Sequence, residues 1–362
     1  MKVTIVGGGA AGLSTAIVIR GMADVEVTIL ERAGADEAPG LGIALLPFSL
    51  EMIKMKGFAA YADRFVPVDR KQEVFVGQFG KGDVLRKMRM QDVQYFGVKR
   101  ASLIAFLKEA AVRAGAKIHY NADVSEDAVR KAKDSCDLLI GADGAGSAVR
   151  GAFAKEFNAR AADAKSRYAW LELEGDIGHF VFGYMYVAGR GLVRITAYPH
   201  SRDGSSAILT HSMGMTKFFD EPHMLDADGE MSGKAINELN TIFAVGLHGR
   251  KLVGRSRWRR FHATQCQHAV FENVALIGDA YATLFYETGW GTSTAIQTSS
   301  ILGHSLALGK PLAGGLEVYD RKCAELLRGA ITATVKTMRD VDGQATRFFQ
   351  AGPAKFLAMG NA

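Results

Sequence analysis

The chain has 362 residues, 48% of them hydrophobic and 23% charged, which fits two compact domains or one elaborated α/β body and excludes a small module or a disordered chain. Its net charge of +6 is spread without a basic stripe interleaved with aromatics, which argues against a nucleic-acid partner. No apolar run reaches the roughly 18 residues of a membrane helix, and the amino terminus enters a strand without a charged leader and cleavable apolar region, so the expected location is cytoplasmic.

Lys2 to Val6 is a β-branched run ending in Gly7-Gly8-Gly9-Ala10-Ala11-Gly12, and Leu13 to Met22 has helical apolar spacing; together they make the first half of a βαβ unit. Val25 to Leu30 predicts the second parallel strand, closed by Glu31-Arg32. Leu103, Phe106, Leu107, Ala110 and Ala111 predict a helix over 102–114, with a strand from Lys117 to Tyr120 beyond Gly115. Leu138 to Gly141 reads as a buried strand stopping at Ala142-Asp143-Gly144. Between 157 and 253 the texture changes: RYAWLELEGD, FVFGYMYV, GLVRITAY and SSAILTHS are strand-like runs between glycine, serine and aspartate turns, the pattern of an antiparallel sheet. The α/β texture returns near 254, with a strand from Val274 to Ile277, a helix over 292–308 and a long helix from Glu317 to Met338. Cys136, Cys266 and Cys323 are odd in number and lack metal-ligand spacing, which fits a reduced interior with buried thiols and no metal site. The expected fold is α/β. A discontinuous Rossmann-type domain takes 1–65, 96–156 and 254–345, an inserted antiparallel sheet domain takes 66–95 and 157–253, and 346–362 is a C-terminal tail.

Gly7-x-Gly9-x-x-Gly12 supplies a sharp turn, a bare backbone for a diphosphate to approach and close helix–sheet packing, while the free amides and dipole of the following helix attract phosphate. Glu31 stands 19 residues beyond Gly12 at the end of the next strand, placed to accept ribose hydroxyls. The motif alone leaves NAD and FAD both open.

GADGAGSAVR at 141–150 and GDAYATLFYETGWGT at 278–292 resemble the Asp-Gly and Gly-Asp motifs of the class A flavoprotein monooxygenases, the para-hydroxybenzoate hydroxylase-like family. VKRASLIAFL at 98–107 is similar to that family's Arg-x-x-Leu helix start, and the four motifs stand in the family's order over most of the chain. The resemblance implies an FAD-dependent enzyme reduced by NADH or NADPH. It places Gly7, Gly9, Ala10, Ala11 and Gly12 at the diphosphate, Glu31 with Arg32 at the adenosine ribose, Arg100 on the flavin side or the diphosphate, and Asp279 at the ribityl or diphosphate region. Gly289, Gly291 and Thr292 would turn amides toward the pyrimidine edge of the flavin, whereas Asp143, Gly144 and Arg150 read as more architectural. It also implies the cycle: NAD(P)H reduces FAD, reduced flavin captures O2, and a C4a-hydroperoxide hydroxylates an electron-rich aromatic ring. A small aromatic substrate and O2 are the expected partners of a monomer or homodimer.

The chain departs from the family in one loop. Where many members have His-x-x-Pro, it has Ala282, Thr283, Leu284 and Phe285. Tyr286 to Thr292 resembles instead the Phe-x-x-Gly-x-Gly-Thr version of a subgroup that hydroxylates indolic compounds and aromatic coenzyme A thioesters, with tyrosine for phenylalanine. RYAW at 167–170, AY at 197–198 and SRWRRF at 256–261 are further short similarities to that subgroup.

Candidate substrate-wall residues are Tyr184, Tyr186, Arg194, Tyr198 and Phe285, and candidate acid–base residues are His211, Tyr286 and Glu287. Each has a plainer reading: Tyr184 and Tyr186 share a strand face that could cover a core, His211 could be an ordinary hydrogen-bonded residue, and Glu287 a solvated carboxylate. Arg255, Arg257, Arg259 and Arg260 around Trp258 offer either a phosphate landing site or arginines alternating outward. Two alternatives stay open: a two-component oxygenase or halogenase-like enzyme fed reduced flavin by a separate reductase, and a non-catalytic flavin-binding partner. The Trp-x-Trp-x-x-Ile-Pro stretch of the halogenases is absent.

Overall fold

The computed structural model describes residues 1–22, 24–35, 41–55 and 64–358. Two compact units form, one from 1–39, 100–162 and 262–335, the other from 40–99, 163–261 and 336–362.

The first unit is built on a six-stranded sheet in the order Val270–Phe271, Val274–Leu276, Leu138–Gly141, Lys2–Val6, Glu26–Leu30, Lys117–His119. All neighbours are parallel except the Val270–Phe271 edge. Burial on both faces explains why Leu138–Gly141 reads as a continuous apolar run and why Val3 to Val6, its buried Thr4 included, is β-branched throughout. From Lys2–Val6 the chain moves outward to Glu26–Leu30 and Lys117–His119, then returns to the opposite side of Lys2–Val6 as Leu138–Gly141. That reversal opens a crevice at the carboxyl ends of the two central strands, the place where such sheets bind ligands.

The second unit is a sheet running Leu252–Val253, Arg160–Glu174, Gly204–His211, Gly191–Pro199, His179–Val187, Val66–Gln78, Tyr95–Lys99, Gly42–Leu45, with Val84–Met90 also paired to Val66–Gln78. It is antiparallel apart from Val66–Gln78 against His179–Val187, which is parallel. Its boundaries differ from those expected. Gly42–Leu45 pairs antiparallel with Tyr95–Lys99, so the described residues from 41 onward fall with the sheet rather than with the Rossmann unit.

The expected C-terminal tail is mostly helix, since Leu312–Ala358 is helical with a break at Gly352, where φ is 73° and Pro353 follows; 359–362 lie outside the described residues. Its aromatic side chains explain the extension. Phe348 stacks on Tyr186 at 5.3 Å and Phe356 meets Tyr184 edge-on at 5.6 Å, sealing one face of the sheet with Val74, Val76 and Leu192. Phe356 is fully buried, so Phe356→Ala is expected to cost about 3–5 kcal/mol, measured as a lower urea midpoint. A midpoint unchanged from wild type would show that this covering contributes nothing.

Cys266 and Cys323 are buried and Cys136 is half-buried, all three as free thiols. Burial pushes Cys266 up to about 11 and Cys323 up to about 12, which keeps both protonated at neutral pH. Among the described residues no helix is long and apolar enough to cross a membrane.

Candidate active site

Three loops leave adjacent strand ends of the first unit and meet. The backbone N–H groups of Ala142 and Ile277 donate to Val6 and Gly141, which holds the ends of the three strands level. Gly7, at φ 106°, sits so close to the second loop that a Cβ would lie 2.4 Å from the Ala142 carbonyl oxygen. Gly12 is closer still, its missing Cβ 1.9 Å from the Gly7 oxygen. Gly9 differs from both: nothing lies within 4 Å of where its Cβ would be, so the space above the helix start is open.

Helix Ala10–Ile19 begins at Gly9 and helix Gly291–Leu306 begins at Trp290, and neither start carries a side-chain cap. The helices run side by side in the same direction. Thr15 Oγ1 donates to Ser299 Oγ at 2.9 Å, Ser299 Oγ donates to the Ala11 carbonyl at 3.1 Å, and Gly303 admits Val18. Gly278, at φ 59°, is wedged between them, its absent Cβ 3.2 Å from Ala11 and 3.1 Å from Ala295. Asp279 therefore stands beside two uncapped helix N-termini, an arrangement that attracts anionic groups and supplies free backbone donors.

Asp279 is exposed by surface area, yet the protein around its carboxyl pushes it up to about 6, with Arg100 and Arg150 pulling the other way. Surface area alone would suggest open solvent. Crowding is the better guide, because a charge responds to atoms several ångströms away and not only to those it touches.

Arg150 is the brace of this turn: its guanidinium donates to the carbonyls of Asp279 at 3.4 Å, Ala280 at 3.1 Å and Ala145. Asp143 accepts from Ser147 Oγ at 2.5 Å and from the Ala148 and Val149 amides at 2.7 and 3.2 Å, capping the short helix Ala148–Ala152. Gly144, at φ 80°, makes the bend between them. Glu31 accepts from the Gly8 amide at 2.5 Å and from the Ala33 amide at 2.8 Å, so it shapes the glycine turn from the end of its strand. Arg32 and Arg100 are exposed, and Ala10, Gly289, Gly291 and Thr292 are half-buried, while Ala11 is buried.

Phe285 is fully buried. Its amide donates to Thr334 Oγ1 at 3.0 Å and its ring lies 4.2 Å from that of Tyr286. Tyr286 and Glu287 are half-buried on the single turn Tyr286–Thr288, which ends at Gly289 in the left-handed region, φ 66°. The remaining candidates belong to the second unit. Tyr184, Tyr186 and Arg194 lie on the face sealed by Phe348 and Phe356, with the Arg194 guanidinium donating to Gln344 Oε1. Tyr198 is buried, donates to the Gly42 carbonyl at 3.1 Å and is shifted upward by burial.

His211 is enclosed by Trp258 at 4.5 Å and Phe219 at 5.2 Å; burial pushes it down to about 4, so it is neutral at pH 7, with Nδ1–H donating to the Ser212 carbonyl at 2.9 Å. Arg255 is committed to Asp226 and Glu230, each at 2.8 Å.

The pairing of the two helices is not among the expectations drawn from the sequence. Its signal was present as Ala295, Ser299 and Gly303, small residues every fourth position along one helix face.

A family model described as FAD binding domain matches residues 1–334. The chain is 26% identical over 322 residues to 3-hydroxy-4-methyl-anthranilyl-[aryl-carrier protein] 5-monooxygenase of Streptosporangium sibiricum, covering 88% of this chain and 83% of that protein. It is 26% identical over 340 residues to salicyloyl-CoA 5-hydroxylase of a Streptomyces species, covering 89% of this chain and 62% of that longer protein. The structure of the tetrameric form of 2-methyl-3-hydroxypyridine-5-carboxylic acid oxygenase superposes with a TM-score of 0.73 at 18% identity, over 97% of this chain and 92% of the other, which shows a shared fold.

Proposed function

This chain belongs to the FAD-binding-domain family of class A flavoprotein monooxygenases, and from that premise we propose that it hydroxylates a benzoyl thioester para to a ring hydroxyl or amino group. Membership in this family favours direct reduction by NAD(P)H over supply of reduced flavin by a separate reductase.

The residues present fit the cofactor. The open space at Gly9 would accept a diphosphate where a side chain would fill it, and two uncapped helix starts flank Asp279. That convergence is the observation that carries the flavin assignment. Amides from Gly7, Gly9, Ala10, Ala11 and Gly12 would hold the diphosphate, with Arg100 supplying positive charge. Glu31, beside Arg32, would turn its remaining lone pairs to the adenosine ribose, and Asp279 would accept from the ribityl chain. The start of helix Gly291–Leu306, with Gly289, Gly291 and Thr292, would stabilise negative charge on the ring edge. When bound, the flavin supplies the electron transfer and oxygen chemistry that no side chain can. We assign Tyr286 and Glu287 to holding and moving the proton of the substrate's donor group, with Phe285 backing them from the core. His211, closed in by Trp258 and Phe219, has no part in this assignment.

The substrate class is supported by the two curated relatives. Their named substrates carry a hydroxyl or an amino group ortho to the acyl carbon, and both enzymes are named for position 5, which is para to that group. Electrophilic oxygen transfer is directed to that carbon by the ring donor, and a neutral thioester leaves no carboxylate to be desolvated.

Salicyloyl-CoA or anthraniloyl-CoA should accelerate NAD(P)H oxidation by the flavin-loaded chain at least about tenfold over the free acids, with one heavy oxygen atom from labelled O2 appearing para to the donor. Equal acceleration by the free acids, or none by either form, would overturn the thioester reading.

A further inference from the structure

The strand Val84–Met90 pairs with Val66–Gln78 and, among the described residues, with no other strand, so it forms a free edge of the second unit's sheet. Five of its seven residues are exposed, on both faces. It carries Arg86, Lys87 and Arg89 and no carboxylate. Arg86 is turned inward onto the buried Glu73 and donates to the Val245 carbonyl at 2.6 Å, which pins the strand to its own unit. Lys87, and nearby Lys71 and Lys81, make no ion pair among the described residues.

Leu85, Met88, Met90 and Val93, four of the ten large apolar side chains that stand exposed among the described residues, fall within this one stretch of nine positions. Lysine on an open edge is the usual guard against strand-to-strand aggregation. A guard needs charge alone; it does not need methionine, leucine and valine set between the charges. Nor does a second copy of the chain suit this edge, because antiparallel self-pairing centred on Lys87 sets that lysine against itself, and pairing centred on Met88 sets it against Arg89. Flexible apolar side chains rimmed by Lys71, Lys81 and Lys87, which outnumber the flanking exposed Asp83 and Asp92, suit a surface of opposite charge.

We propose that the Val84–Met90 edge docks an acidic carrier protein that delivers the aryl group as a pantetheine thioester, a role that rests on the thioester reading above. The cations set encounter and orientation, and Met88 and Met90 supply the contact area once water has left.

The test uses the full flavin-loaded chain and one acyl group, 2-hydroxybenzoyl, presented either on free pantetheine or on the phosphopantetheine arm of an acidic aryl-carrier protein. For wild type, kcat/KM with the carrier-borne substrate should fall steeply with added salt, while the pantetheine thioester should barely respond. Lys87→Glu should lower kcat/KM for the carrier-borne substrate at least about tenfold and leave the pantetheine thioester within about twofold. Lys87→Arg should restore the carrier-borne rate, and Met90→Asp should behave as Lys87→Glu does.

Equal loss on both substrates, or no loss on the carrier, would overturn the proposal. So would variant-sensitive binding to phosphatidylserine vesicles in place of the carrier. If neither thioester is hydroxylated, the substrate reading has failed; docking is then read alone, as salt-sensitive binding of the carrier protein to wild type that Lys87→Glu abolishes. Binding that Lys87→Glu leaves unchanged sinks the docking surface by itself.

Discussion

Gly9→Val is expected to leave the apo fold standing and to empty it of flavin. Nothing in the protein lies within 4 Å of the Cβ that the substitution adds, so folding meets no clash. The same side chain would fill the space above the first helix start, where the diphosphate must approach the free amides. Flavin affinity should fall at least about 100-fold, roughly 2.7 kcal/mol, with the apo melting temperature nearly unchanged. Gly12→Ala provides the contrast. Its Cβ would lie 1.9 Å from the Gly7 carbonyl oxygen, a backbone atom that cannot swing aside, so both fold and flavin should be lost. Flavin absorbance per mole of protein and a thermal melt without added FAD separate the two. A Gly9→Val protein that purifies yellow would show that the diphosphate does not pass there.

Asp279→Asn should raise the stability of the apo protein and lower its hold on flavin, with a pH dependence that identifies the residue. Burial lifts the Asp279 carboxyl from 3.8 to about 6, so between those values the folded chain binds a proton that the unfolded chain has released. Stability from this group is thus fullest below about pH 4 and declines as the pH rises through 6. The asparagine variant lacks that decline. Its apo form should melt higher than wild type at pH 8, with the gap closing as the pH is lowered from 6 to 4. Bound flavin should reverse the ranking if Asp279 holds the ribityl chain as proposed, because a carboxylate is the better acceptor for hydroxyls. An apo gap that does not change with pH would place the effect outside this carboxyl.

The glycine turn and the strand ends around it were legible because their geometry is local. Gly7, Gly9 and Gly12 lie within one turn and Glu31 reaches the Gly8 amide from the end of the next strand, so order along the chain nearly specifies position in space. Arg150 was harder: its three carbonyl acceptors lie five and about 130 residues away, and no spacing rule joins them. The covering of Tyr184 and Tyr186 was ambiguous for the same reason. Alternation along a strand says which residues share a face, and only tertiary structure says that Phe348 and Phe356 lie on it. The stretch after residue 40 was misplaced because a four-residue strand such as Gly42–Leu45 carries no mark of its partner. The crowded aromatic surroundings of His211 had no sequence signature either, since Trp258 reaches it from 47 residues away.

The three loops that meet at Asp279 come from the beginning of the chain, its middle and a segment some 270 residues past the start. During synthesis the glycine turn emerges first and remains half a site. Its partner helix and the Gly278 wedge do not exist until the segment through Leu306 has left the ribosome. Capture of the cofactor at the proposed site therefore waits on a segment about 270 residues after the glycine turn, and until that segment emerges the growing chain must do without the stabilisation that a bound ligand gives.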